Sequence, residues 1–304
     1  MDKLVIAAVD IGSNAARLLI KSTEIKQESE TPVSFYKELF LRIPLRLGSD
    51  VFKIGKISDE KLLIMVHMMK SFKQLMRTYG VSKYRVCATS AMREAKNMKK
   101  VVKTVEQETG MKIEVISGEE EANIVYEKRI EGFEKNFDTY AYVDVGGGST
   151  EVIIVSQGQI IYEKSFSVGT LRLLNEESQE TNVFAMDEMK TIISGITEKY
   201  DSINIIGSGG NINKLYKLAT NKDKKNSSFT IKSLTDTYNL LKLLTVEERI
   251  KAYSLRRERA DVIVPAAEIF MILADAMKSK RIYVPMLGLA DGIIDDIYSK
   301  LRTK

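Results

Sequence analysis

The groups in this chain that could do chemistry are carboxylates, hydroxyls and glycine-rich turns. Three turns stand out: 10–14 (Asp10, Ile11, Gly12, Ser13, Asn14), 144–150 (Asp144, Val145, Gly146, Gly147, Gly148, Ser149, Thr150) and 207–211 (Gly207, Ser208, Gly209, Gly210, Asn211). Glycine lacks a Cβ and accepts positive φ, so such turns let main-chain N–H groups converge on an anion. Ser13, Asn14, Ser149, Thr150 and Asn211 would add side-chain donors. Two of the turns begin with an aspartate directly after an apolar run, where a divalent ion would meet phosphate oxygens. Magnesium needs only one or two carboxylates beside water and substrate phosphate, so Asp10 and Asp144 suffice as candidate metal ligands. Neither the Walker pattern nor the Rossmann fingerprint is present: no Gly-Lys-Ser/Thr occurs, and the run from Gly207 lacks the final glycine. Glu119, Glu120 and Glu121 open a helical stretch, where the dipole favours acids in any protein. One of them, or Glu151 just after the second turn, could orient and deprotonate a water for in-line attack on phosphorus. Spacing alone leaves that choice open.

The elements around these residues alternate between strand and helix. Residues 5–9 read as a buried strand, broken by the first turn and resumed at 16–21. A helix is expected from Ser58 to Gly80, with Leu62, Val66, Met69, Phe72, Met76 and Tyr79 on one face and its methionines in the core. Residues 84–89 then read as a strand, 91–108 as a helix closed by Gly110, 112–117 as a strand, and Gly118 as the start of the next helix. Strand, Asp-containing turn and strand return at 140–155, with Asp144 following Asp10 by 134 positions. A hairpin at Gly158 leads into a strand at 160–166. Another strand is expected at 202–206, followed by a helix to Leu218; 221–228 reads as a solvated, lysine-rich loop. A helix at 262–277, a short strand at 281–284, a boundary at Pro285 and a helix at 289–301 complete the series. The repeat points to an α/β chain of two related domains. Their expected bounds are 1–125 plus 289–304 and 126–288, with the border in the stretch 125–134.

Composition narrows the function. The chain of 304 residues is 44% hydrophobic, enough for two cores, and 46 Lys and Arg against 41 Asp and Glu give +5. That mild excess tolerates a polyanionic partner, and the run Arg256-Arg257-Glu258-Arg259 could guide one; nothing points to nucleic acid. One cysteine, Cys87, excludes an intramolecular disulfide and a cysteine zinc site. The single histidine, His67, lies in a helical pattern without metal-ligand spacing. No stretch has membrane-spanning length or signal-peptide character, so a cytoplasmic, membrane-free protein is expected.

The motifs DIGSNAARL at 10–18, ATSAMR at 88–93, ISGEEEA at 116–122, DVGGGSTE at 144–151, SVGTLRL at 167–173 and GSGG at 207–210 resemble those of the exopolyphosphatase and guanosine pentaphosphate phosphohydrolase (Ppx/GppA) family. The resemblance runs in order from Asp10 to about Gly292. It implies two actin-like (ribonuclease H-like) domains, of the superfamily that includes sugar kinases and heat-shock ATPases, with a cleft between them. It also implies release of terminal phosphate from polyphosphate or guanosine pentaphosphate with Mg2+ or Mn2+. By position, Glu121 would be the catalytic glutamate and Glu151 its acidic assistant. Asp10 and Asp144 would hold the metal. Gly12, Ser13, Asn14, Arg93, Gly146, Gly147, Gly148, Ser149 and Gly209 would contact phosphate, Arg93 by neutralising charge on equatorial oxygens. A homodimer is compatible with this reading.

Three departures from the family pattern matter. Ala15 replaces a usual serine. GLADG at 288–292 replaces a common GLREG, so a salt bridge or anion contact is expected to be missing there. The helical HD-type domain that many members carry is not expected, which limits processive action on long chains. Two other readings of the same residues are a nucleotide-binding regulator or phosphotransferase, and a thiol phosphatase. The latter follows from the Cys-x5-Arg spacing of Cys87 and Arg93, although that loop has no glycine and no histidine precedes the cysteine. Cys87→Ser is expected to retain phosphate release while a chelator abolishes it; the opposite pair of results, read by phosphate assay, would establish the thiol mechanism.

Overall fold

A computed structural model describes residues 3–24, 34–127, 137–175, 177 and 179–302. Contacts divide the chain into two compact units, 1–117 with 289–304, and 118–288. The stretch 128–136, where part of the domain border was expected, lies outside the described residues.

In the first unit, β1 (Lys3–Ile11) pairs antiparallel with β2 (Ala16–Glu24), and β2 with β3 (Tyr36–Ile43). The helices α1 (Leu47–Ile54) and α2 (Asp59–Thr78) lead to β4 (Lys83–Ala88), which lies parallel to β1. Next come α3 (Ser90–Glu94), α4 (Met98–Thr109) and β5 (Glu114–Val115), the last parallel to β4. The sheet order is β3-β2-β1-β4-β5. Val5, Ala7, Val9 and Ile11 of β1 pack with Met65, Met69 and Phe72 of α2 and with Val101 and Val105 of α4. The methionines are core, and His67 lies exposed on α2. Ser58 caps α2 by accepting from the Lys61 N–H.

The helix expected over 91–108 is two helices. Ala95 leaves the helical region at φ −66°, ψ 121°. Asn97 then accepts from the Ile57 N–H at 3.0 Å and donates to the Ile57 carbonyl at 2.8 Å. This side chain satisfies another segment's backbone and so ends the helical ladder.

The second unit opens with α5 (Gly118–Glu127), then an antiparallel set of β6 (Thr139–Val145), β7 (Thr150–Ser156) and β8 (Gln159–Phe166). It continues through α6 (Thr170–Leu173) and α7 (Gln179–Thr197) to β9 (Asn204–Ser208), parallel to β6. Then follow α8 (Gly210–Leu218), β10 (Lys222–Asp223), β11 (Ser228–Thr230), α9 (Ile231–Lys242), α10 (Val246–Tyr253), α11 (Arg257–Ala260), α12 (Ile263–Ala276) and β12 (Arg281–Tyr283). The sheet order β10-β11-β12-β9-β6-β7-β8 contains the first unit's order, with β8, β7, β6, β9 and β12 in the places of β3, β2, β1, β4 and β5 and the same strand directions. The fold is therefore α/β, with one ribonuclease H-like sheet pattern used twice. The supposed loop at 221–228 is the β10–β11 hairpin. Its turn is fixed because Asp223 accepts from both the backbone and the side chain of Asn226.

The chain returns to the first unit as α13 (Leu289–Arg302), which packs on β1, β2 and β4. Asp291, in its first turn, pairs with Lys21 at 2.6 Å, with side chains only 18% and 10% exposed. The GLADG departure therefore supplies a salt bridge where its loss was expected: the shorter acid reaches a lysine that β2 holds almost buried. In the second unit the corresponding face of the sheet is covered by α5, through Ala122 against Tyr142 and Ile153. Among the described residues, no helix is long and apolar enough to cross a membrane.

Removing one partner of a nearly buried ion pair strands the other charge. Asp291→Ala is expected to lower unfolding free energy by about 3 kcal/mol in urea titration, whereas the exposed pair Lys100–Asp59 should yield less than about 1 kcal/mol on the same measurement.

Candidate active site

The second unit carries the richer constellation. Asp144 is the penultimate residue of β6, and the turn Gly146 to Ser149 closes on itself as the Gly146 N–H donates to the Ser149 carbonyl at 2.9 Å. The carbonyls of this turn are all occupied on one side. Gly146 accepts from the Thr170 N–H at 3.0 Å, Gly147 from the Leu171 N–H at 2.8 Å, and Gly148 from Arg172 Nε. In a trans peptide the N–H points opposite to the preceding carbonyl. The N–H groups of Gly147, Gly148 and Ser149 therefore point away from α6 as a row of donors, an arrangement that binds anions. Glycine is required opposite: a Cβ on Gly169 would lie 2.5 Å from the Gly148 carbonyl carbon and 2.6 Å from that of Gly147.

Beside this turn, three of the expected acids line one small recess: Glu121 from α5, Asp144 from β6 and Glu151 from β7, with Ala122, Val125, Tyr142 and Ile153 as its apolar part. Strand register explains the convergence. Asp144 pairs with Glu151, so their side chains share the sheet face that α5 covers. Glu151 is almost fully buried, and its Oε1 accepts from Ser149 Oγ at 2.6 Å and Ser165 Oγ at 2.8 Å. Asp144 is partly exposed and its Oδ2 accepts from Ser208 Oγ at 2.7 Å. Gly209, at φ +93°, lets the backbone pass so close that a Cβ there would sit 2.5 Å from Asp144 Oδ1. On the same face, burial and, secondarily, Glu119 push Glu163 above the usual carboxylate range.

In the first unit the turn 12–15 has the same closure, Gly12 N–H to Ala15 carbonyl at 3.1 Å. The carbonyls of Ser13 and Asn14 accept from the N–H groups of Gly48 and Arg46, and Ser13 Oγ accepts from the Ala91 N–H at 3.2 Å. Arg93 donates to the Ile116 carbonyl at 2.7 Å, tying α3 to the end of β5. Asp10 is buried and ion-paired with Arg17. Cys87 is fully buried on β4, in register with Asp10, and offers no accessible thiol. The expected residues thus fall into two sets: Glu121, Asp144, Gly146, Gly147, Gly148, Ser149, Glu151 and Gly209 in the second unit, and Asp10, Gly12, Ser13, Asn14 and Arg93 in the first.

Residues 41–301 match the model of the Ppx/GppA phosphatase family. The chain belongs to that family. A bifunctional 3-dehydroquinate synthase/phosphatase of Fusobacterium nucleatum is 28% identical over 88% of this chain and 43% of its own length. A guanosine-5'-triphosphate,3'-diphosphate pyrophosphatase of Photobacterium profundum is 24% identical over 97% of this chain and 60% of its own. The chain thus spans about half the length of these curated relatives. Among solved structures, an exopolyphosphatase from Cytophaga hutchinsonii superposes with a TM-score of 0.83 at 20% identity, covering 97% of this chain and 98% of that one. A Ppx/GppA family member of Aquifex aeolicus gives 0.74 at 24% identity, covering 98% and 99%. At these identities the two structures establish the shared fold.

Several site residues lay within motifs without being singled out. Thr170 and Arg172 lie in SVGTLRL, Ser208 in GSGG and Arg17 in DIGSNAARL; only strand register and peptide orientation reveal what they hold. Ser165 had no motif signal, only its alternation with Glu163 along β8. Gly209→Ala would combine a left-handed φ with a clash against Asp144. The expected result is a fall in thermal unfolding midpoint of several degrees, corresponding to roughly 1–3 kcal/mol, with Ser167→Ala as the neutral control by calorimetry.

Proposed function

We propose that this chain is a metal-dependent phosphohydrolase of phosphoanhydride bonds, releasing terminal orthophosphate from inorganic polyphosphate or guanosine pentaphosphate. The observation that carries the reading is the second unit's recess, where three carboxylates stand beside a row of main-chain donors. Donors at Gly147, Gly148 and Ser149 suit the equatorial oxygens of a transferring phosphoryl group, which gather charge as the bridging bond breaks. Family membership and the pyrophosphatase activity for which the Photobacterium relative is named support this substrate class.

Among the described residues, no group of three or more acids, histidines or cysteines forms a ready-made metal cage. The residues fit a sparsely held hard cation instead: Asp144 is a partly exposed carboxylate within an oxygen-only set, which suits Mg2+ or Mn2+ completed by water and substrate. When bound there, the ion would neutralise charge on phosphate oxygens. Asp10, the other expected ligand, already has Arg17 as its counter-ion.

The chain's own residues take the remaining roles. Glu121 accepts a proton from the attacking water at a carboxylate oxygen. Glu151, held at Oε1 by Ser149 and Ser165, assists in orienting that water. The apolar wall of Val125, Tyr142 and Ile153 limits bulk water around the reacting atoms. Ser13, Asn14 and Arg93 act as phosphate contacts of the first unit's turn, the guanidinium of Arg93 being steadied by Ile116.

Phosphate release from short polyphosphate and from guanosine pentaphosphate, with no acceptor present, is the direct test. Glu121→Gln is expected to lower kcat by about a hundredfold or more, with KM changed little; near-normal turnover removes Glu121 from the role. Release that requires an acceptor would identify a transferase.

A further inference from the structure

The β10–β11 hairpin turns at the same end of the second sheet as the recess. Strand register fixes this. Asp223 of β10 lies beside Ser228 of β11, Ser228 beside Tyr283 of β12, Tyr283 beside Ile206 of β9, and Ile206 beside Tyr142 of β6. Two residues beyond that rung, β6 reaches Asp144 and β9 reaches Ser208. On the same side of the rung the hairpin turns through 224–227. The parallel strands β6, β9 and β12 all point their carboxyl ends this way, and open α/β sheets hold their ligands at such ends. Four interstrand steps separate β10 from β6, which places the hairpin tip roughly 19 Å from Asp144 along the sheet end.

The tip is both fixed and cationic. From Lys217 to Lys232 the chain carries five lysines and one acid, Asp223. That acid is committed to the turn, accepting from the Asn226 N–H at 3.1 Å and from the Asn226 side chain at 2.7 Å. Lys224 and Lys225 are exposed, and neither forms an ion pair among the described residues. A hydrogen-bonded strip joins the tip to the third glycine turn. The Val284 N–H donates to the Ser227 carbonyl at 2.7 Å, and the Gly209 N–H to the Leu287 carbonyl at 3.4 Å. Residues 207–211 and 284–290 contain no acid. On the β7–β8 side, by contrast, the turn 146–149 is closed by α6, whose N–H groups occupy its carbonyls. A phosphate chain whose terminal group lies at that turn thus meets an uncharged strip past Gly209, and the strip ends at two lysines.

We propose that the tip of the β10–β11 hairpin is a remote anion subsite for long polyphosphate, with Lys224 and Lys225 holding phosphates several units away from the one being released. This rests on the polyphosphate reading of the recess made above. The subsite adds a preference for length. A chain that spans the strip gains two charge contacts, whereas tripolyphosphate ends before them. Both contacts are exposed and screened by salt, so the preference falls as ionic strength rises.

Phosphate release by the full chain, measured on tripolyphosphate and on long-chain polyphosphate, is the test. Lys224→Gln/Lys225→Gln is expected to raise KM for the long chain about fivefold at low salt, the size of two exposed ion pairs. Its kinetics on tripolyphosphate stay unchanged, which also serves as the control for folding. Lys278→Gln/Lys280→Gln removes the same charge from exposed positions just before β12, at the opposite end of the sheet, and is expected to alter neither KM. An unchanged long-chain KM in the hairpin variant overturns the subsite, and so does an equal rise in both double variants, which would mark a general surface field. Loss of single-stranded DNA binding in the hairpin variant, with the long-chain KM unchanged, would assign the tip to nucleic acid instead. No release from either polyphosphate by the wild type overturns the reading of the recess, and the subsite with it.

Discussion

The commitment of three consecutive carbonyls, Gly146, Gly147 and Gly148, to donors at Thr170, Leu171 and Arg172 governs the rest of the second unit's site. Peptide planarity turns the following N–H groups the other way, so the anion-binding character of the turn is set by what its carbonyls do. That arrangement demands an intimate approach of Gly169, which no side chain would permit. Thr150 adds a second tie by donating to the Val168 carbonyl at 2.7 Å. The motifs SVGTLRL and DVGGGSTE are thus two halves of one device. Their separation in sequence is spanned by the β7–β8 hairpin, whose register also delivers Ser165 to Glu151.

One sheet pattern serves both units, but its functional face has diverged. Each unit has a helix over the side of its sheet where the aspartate stands: α13 in the first, α5 in the second. In the second unit that helix brings Glu121 to a recess already acidic. In the first it brings Asp291 to Lys21, an interaction that ties strands to helix. The same scaffold position is spent on chemistry in one place and on cohesion in the other.

The glycine turns, their preceding strands and the repeat were legible because each has a local cause: apolar runs stop at Asp10 and Asp144, and glycine marks the places where backbones pass closely. The family motifs also pointed to Glu121 out of three adjacent glutamates, a choice that helix-dipole reasoning left open. Most of what escaped depends on distant partners. Asn97 breaks a helix through its bonds to Ile57, forty residues earlier. The β10–β11 hairpin hides behind a lysine-rich composition that reads as solvated loop. The salt bridge of Asp291 was missed because its partner Lys21 lies at the other end of the chain. For Asn97 and Asp291 the deciding contact is non-local, and composition carries no trace of it; for the hairpin it is the local pair Asp223–Asn226.

The packing of α13 on β1, β2 and β4 also fixes an order of assembly. Residues 118–288 form a continuous segment that can complete its own contacts as it leaves the ribosome. The β1–β2 hairpin is made before that segment but remains without its covering helix, and Lys21 without its acid, until α13 emerges. During synthesis these strands are therefore covered on that face only after the second unit has been made, and until then β1 is packed on its other face alone, against α2 and α4.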